Sequence, residues 1–116
     1  MEEPRRYVRL PIRTEVAYVV LPSGTTLETQ TRDISSTGMR LVLDHALAPG
    51  TQLQVAVALP GVENPVNAIA EVVWSQEEHM SGKAEQHRSV QVGIRCTEIS
   101  PQDQQVLNEA IAQQLR

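Results

Sequence analysis

Residues 51–59, Thr-Gln-Leu-Gln-Val-Ala-Val-Ala-Leu, place Leu53, Val55, Val57 and Leu59 at intervals of two. That period turns one face of an extended chain apolar and leaves the other to solvent, which a helix cannot do. The same alternation recurs, less cleanly, in residues 14–21, 25–34, 38–43, 66–74 and 87–96. Turn residues separate the runs: Pro22-Ser23-Gly24, Pro49-Gly50 and Pro60-Gly61. Short strands spaced by roughly ten residues predict a small antiparallel barrel or a two-sheet sandwich. Closure is favoured because it removes the open edges along which sheets aggregate. The tail changes period. Ser100-Pro101-Gln102-Asp103 offers a cap, a proline at the first helical position and an acid in the first turn, and Val106, Leu107, Ala110, Ile111 and Leu115 then form one apolar stripe. The expected fold is all-β with one helix: five to seven short strands in a small antiparallel barrel, with the carboxy-terminal helix packed against it.

At 116 residues the chain is expected to be one domain, with an arm over 1–13, a barrel over 14–96 and a helix over 100–116. With no Phe, two Tyr and one Trp, the core must be aliphatic, which makes Trp74 conspicuous. By composition Trp74 is the largest core residue available. No apolar run approaches the ~18 residues needed to span a membrane, so no membrane insertion is expected. The start, Met1-Glu2-Glu3-Pro4, lacks the apolar stretch of a signal peptide, and a lone Cys96 suits a reducing cytoplasm.

Charge is distributed unevenly. The net charge is −4, yet Arg5, Arg6, Arg9 and Arg13 fall within nine residues with no acid among them. An acidic chain with one basic cluster is unsuited to long nucleic acid, which wants positive charge spread over a face. A small phosphate-bearing ligand suits it better. The other unusual stretch is Arg32-Asp33-Ile34-Ser35-Ser36-Thr37-Gly38-Met39, a polar corner between two strand-like runs, expected at the surface. Asp33 and Ser35 are two apart, so an extended backbone points both to one face, where a carboxylate and a hydroxyl can engage a flat polar ligand. The same residues also suit a self-capped turn. Gly38 marks either a positive φ or a close approach that excludes a Cβ. Arg32 and Arg40 flank the corner, with a solvated surface role as the default and a supporting electrostatic role as the alternative.

Arg5-x-x-x-Arg9 followed by Asp33-x-Ser35-x-x-Gly38, ahead of a strand-rich chain of this length, resembles the paired signature of the PilZ domain, the bacterial receptor module for cyclic di-GMP. The run ending Val72-Val73-Trp74 and the Gly93-Ile94-Arg95-Cys96 strand extend the resemblance over essentially the whole chain. It implies a six-stranded barrel with a terminal helix, cyclic di-GMP as ligand, and binding by Arg5, Arg6, Arg9, Asp33, Ser35 and Gly38, with Trp74 near the binding face. Arginine suits both halves of such a ligand, because its planar fork of donors matches phosphate oxygens and the O6/N7 edge of guanine. Arg9 and Arg13 repeat the spacing, but Arg9-Leu10-Pro11 continues as the family does, so the register taken is Arg5 and Arg9. Pro4, before the first motif arginine, is neither the arginine nor the bulky apolar residue of the family patterns. Thr37 stands where a glycine is usual.

A receptor of this size is expected to signal to a downstream protein by ordering its arginine arm on ligand. The rival reading is a PilZ-like adaptor that binds protein and no nucleotide, although such members typically lack both motifs. Catalysis has no support, since the chain shows no nucleophile elbow and no phosphate-cradling glycine loop. His79 and His87 flank a polar stretch expected as a solvent loop over 77–86, and offer only a weak metal pattern. Cys96 reads as a small buried apolar residue.

Overall fold

A computed structural model describes residues 9–22, 24–78 and 89–114. Six strands precede one helix: β1 (Glu15–Val20), β2 (Leu27–Ile34), β3 (Gly38–Leu43), β4 (Gln52–Val57), β5 (Val66–Glu78), β6 (Ser89–Ile99) and α1 (Pro101–Gln114). The strands close into a barrel in the order β1-β2-β3-β6-β5-β4, and every adjacent pair is antiparallel. Pairing of β1 with β4, from Val16 opposite Val57 to Val20 opposite Leu53, completes the ring and decides against a sandwich.

The alternation does what it predicts. Leu53, Val55 and Val57 point inward with Val16, Tyr18, Leu41, Leu43, Val90 and Val92, all buried. Truncating such a residue to Ala leaves a cavity costing about 2–5 kcal/mol. α1 lays Leu107, Ala110 and Ile111 into this core and packs against β5, while Leu115 lies outside the described residues. Ser100 is the cap: its Oγ accepts from Asp103 N at 3.0 Å. Asp103 Oδ2 in turn accepts from Asn67 N at 3.1 Å, tying the helix start to β5.

Two strands outrun their expected ends. β5 continues past Trp74 to Glu78 and β6 past Cys96 to Ile99, because the two pair from Ala68 opposite Ile99 to Glu78 opposite Ser89. Glu77 and Glu78 are therefore strand residues rather than loop. His79 and His87 lie outside the described residues.

Three irregularities interrupt the register; one leaves Thr97 of β6 extra opposite Ile69 and Ala70, and the other two lie beside the polar corner and Trp74. On β2, Thr31 is opposite Leu41 but Asp33 is opposite Arg40, so Arg32 is an extra residue. On β5, Val72 is opposite Ile94 and Trp74 opposite Gly93, so Val73 is extra. Each extra residue switches which face the later side chains occupy. Strict alternation would send Trp74 inward beside Val72. After the bulge Val73 and Trp74 both face outward, 49% and 36% exposed. Trp74 is thus not a core residue.

Candidate functional site

The register sets four residues in one row across four strands: Asp33 on β2, Arg40 on β3, Gly93 on β6 and Trp74 on β5. Strands lie about 4.8 Å apart, so the row spans roughly 14 Å. Gly93 carries nothing that would block it. A Cβ there would collide with Cε2, Nε1 and Cζ2 of Trp74, so the indole lies across the glycine backbone. In the neighbouring row Gly38 is opposite Arg95, and Arg95 Nη2 donates to Glu71 Oε1 at 2.9 Å across the β5–β6 pair.

A groove of about 440 Å³ runs over these rows, lined by Arg9, Arg40, Arg95, Trp74, Gly38 and Gly93 among others. Its size falls within the ~300–1,000 Å³ usual for small-ligand sites. Three other grooves among the described residues carry acids and no arginine or lysine. They hold Glu98 and Asp103, Glu28 and Asp44, and Glu15 and Glu28 respectively. Of these four, the arginine-lined groove is the one suited to an anion.

Asp33 is the electrostatic centre. It is 4% exposed, and its two oxygens are shared between two elements. Arg9 Nη1, from the amino-terminal arm, donates to Oδ1 at 2.8 Å. Arg40 donates to Oδ2 through Nε at 2.6 Å, and its Nη2 is ion-paired with the same oxygen. Burial alone would push the Asp33 carboxyl up; the hydrogen bonds and charges of Arg40 and Arg9 outweigh it and hold the group below the usual carboxylate range. Arg40 Nη1 also donates to Gln91 Oε1 at 3.2 Å, and Gln91 Nε2 donates to Glu78. Arg32, 3.8 Å from Glu78, keeps the surface role expected of it. Arg40 does not: it is the barrel's own partner for Asp33.

In the corner expected at the surface, Asp33, Ser35 and Gly38 are buried and Thr37 is exposed. Ser35 is 1% exposed and works within the turn: its amide donates to Gly38 O at 2.8 Å, its Oγ donates to the same carbonyl at 3.2 Å and accepts from Thr37 N at 3.3 Å. Asp33 and Ser35 therefore hold separate sets of partners, because β2 ends at Ile34 and Ser35 belongs to the turn. Gly38 has no positive φ. A Cβ there would strike the Ile94 carbonyl oxygen, so the glycine is needed for close approach of β3 to β6. That space is filled by backbone and is not free for a ligand.

The arm is paired to β2 as far as it is described. Leu10 and Ile34 exchange two backbone hydrogen bonds, each 2.9 Å. The buried Thr31 hydroxyl donates to Ile12 O at 2.6 Å and accepts from Thr14 N at 3.0 Å. This anchorage carries Arg9 to Asp33 and leaves Arg13 exposed. Arg5 and Arg6 lie outside the described residues. Among the described residues no group of His, Cys, Asp and Glu could hold a metal, and no helix is long and apolar enough to cross a membrane.

A closed barrel with a following helix, and an arginine-lined groove over an outward-facing tryptophan, define a small-barrel domain with a cleft suited to an anionic, aromatic ligand. The chain belongs to the PilZ domain family, whose profile matches residues 3–113. No curated protein sequence matches it. Among solved structures it is similar to the Bacillus subtilis inhibitor of motility MotI/DgrA, at 25% identity and a TM-score of 0.75, covering 98% of this chain and 52% of that one. It is similar to the PilZ domain of Escherichia coli YcgR with c-di-GMP, at 21% identity and a TM-score of 0.71, covering 94% and 88% respectively. It also resembles K. pneumonia MrkH in its c-di-GMP complex, at 14% identity and a TM-score of 0.79, covering 98% of this chain and 52% of that one. The chain spans about half the length of MotI/DgrA and of MrkH.

Proposed function

We propose that this domain is a cyclic di-GMP receptor, in which the amino-terminal arginines and the Asp33 corner grip the ligand over Trp74. The observation that carries the reading is the groove itself, where Arg9, Arg40 and Arg95 surround an exposed indole beside a buried carboxylate. Arginines match the ligand's phosphates and guanine edges, and an indole offers a stacking face for a base. Each charge-assisted hydrogen bond contributes about 1.5–3 kcal/mol. Relatives solved with this nucleotide share the fold.

Asp33 would accept from guanine N–H donors, and Arg5, Arg6 and Arg9 would clamp phosphate and base from the arm. Ser35 and Gly38 would serve by holding the corner in shape. Ligand would draw the arm across the groove and create the surface that a downstream protein reads. Ordering costs about 1–2 kcal/mol per residue fixed, so several arginine contacts are needed to offset it. The domain acts as a cytoplasmic binding module and not as an enzyme.

Calorimetry with cyclic di-GMP, GMP and a short oligonucleotide tests the reading. Saturable binding of cyclic di-GMP alone supports it. Absence of binding, with the protein folded, would favour the protein-binding adaptor.

A further inference from the structure

The two oxygens of Asp33 are not equivalent. Oδ2 is held by Arg40, a strand residue whose own far end is fixed by Gln91 on β6 and, through it, by Glu78 on β5. Oδ1 is held by Arg9, which belongs to the arm and whose side chain is 48% exposed. One partner is locked into four paired strands; the other sits on a segment joined to β2 by the Leu10–Ile34 bridge and the Thr31 contacts.

We propose that Arg40 is a positioning residue for the ligand: it fixes Asp33 through Oδ2 and so reserves Oδ1 for exchange between Arg9 and the ring N–H donors of the nucleotide. This goes beyond the motif residues and rests on the receptor reading for the identity of the ligand. The physical need is clear. A carboxylate as buried as Asp33 cannot stay ionised without a partner, and it would lose one whenever Arg9 turned to phosphate. Arg40 supplies the charge that persists through the exchange. It also sets the plane of the carboxylate, so Oδ1 stays on the side of Arg9, itself a lining residue of the groove, instead of rotating into contact with both arginines.

The charged groups facing Asp33 are Arg9 from the arm and Arg40 from β3, with Glu78 acting on Arg40 and Arg32 paired to Glu78. Removing Arg40 while ligand engages Arg9 leaves burial to dominate. Asp33 then takes up a proton as pH falls and can no longer accept from guanine. Binding should acquire a pH dependence that the native protein lacks.

The test uses the full chain with Arg40→Gln, Arg40→Lys and the milder Gln91→Met, which loosens Arg40 without removing its charge. Carboxyl carbon NMR of the ligand-free protein follows the Asp33 midpoint, and titration with cyclic di-GMP follows affinity from pH 5 to 8. Arg40→Gln should raise the midpoint by about one pH unit or more. It should weaken binding about tenfold at pH 7 and further at pH 5, on the scale of one lost charged partner. Arg40→Lys should restore most of the pH independence, and Gln91→Met should fall between. A midpoint unmoved by Arg40→Gln overturns the proposal, and so does an affinity loss of the same factor at every pH. If the native protein binds no nucleotide but the midpoint moves as stated, the positioning of Asp33 stands and the receptor reading fails.

Discussion

The indole of Trp74 occupies the space that a side chain at position 93 would fill. The two residues are opposed across the β5–β6 pair, and the bulge at Val73 turns the indole onto that glycine. Gly93→Val should therefore lift the ring and spoil the groove floor while leaving the inward faces of both strands intact. We expect a red-shifted, more quenchable Trp74 emission and cyclic di-GMP affinity reduced about tenfold, the scale of one lost base-stacking contact. Unchanged emission would show that the ring does not depend on the glycine.

Arg9→Ala should weaken cyclic di-GMP binding by at least about tenfold, through loss of a charged hydrogen-bonding partner. Arg5→Ala should do the same, and the exposed Arg13→Ala much less. Calorimetry on the three variants decides the motif register; a dominant effect at Arg13 would overturn it.

Asp33 makes the site part of the fold's stability. Had the corner been exposed, replacing Asp33 would cost nothing. Because the carboxylate is buried and paired to two arginines, Asp33→Ala should destabilise by about 1–3 kcal/mol in urea unfolding at pH 7. The sign with pH comes from its lowered pKa. The unfolded carboxyl titrates near its ordinary value of about 3.9, the folded one below it. The contribution is thus complete above that ordinary value and disappears as pH falls through the folded one. The variant should show a shallower loss of stability between about pH 5 and 2 than the native protein.

The arm supplies a direct test of signalling. Amide exchange across residues 4–13 should slow when cyclic di-GMP saturates the protein, most at Arg9 and its neighbours. Leu10, whose amide is bonded to Ile34 O, should be protected in both states. Equal protection at every other position with and without ligand would remove the arm as the switch.

Most of the barrel was legible because burial imposes a period on sequence. Large apolar residues alternate through 51–59, and the inward set Leu53, Val55 and Val57 comes directly from that alternation. The helix start was legible because Ser100 and Pro101 are chemically specific to it. Asp33, Arg9 and Gly38 stood out by motif, and the close-approach reading of Gly38 holds. What escaped was phase. Trp74 read as core on composition, and a bulge leaves no compositional mark to turn it outward. Asp33 and Ser35 read as neighbours on one face because nothing in the residues marks the end of β2 at Ile34. The strand ends at Glu78 and Ile99 escaped because polar residues there pair by backbone, which alternation does not report. Arg40 was named beside the corner, but without a register its electrostatic role stayed second to a surface default. Its signal was an acid and an arginine on either side of the Gly38 corner, in the arrangement of an oppositely charged cross-strand pair.

The bulges at Arg32 and Val73 also decide how such a domain can diverge. A site carried on loops tolerates gain or loss of residues, because the ends of a loop absorb the change. Here the groove depends on counting along paired strands. One residue added to β5 between Val66 and Val72 would reverse the face of every later position on the strand and carry the indole into the interior. An added residue in a connection leaves the phase of the strands unchanged, whereas one in the stretch from Val66 to Trp74 does not. In a lineage built on this barrel, turns can drift in length while that stretch behaves as a ruler.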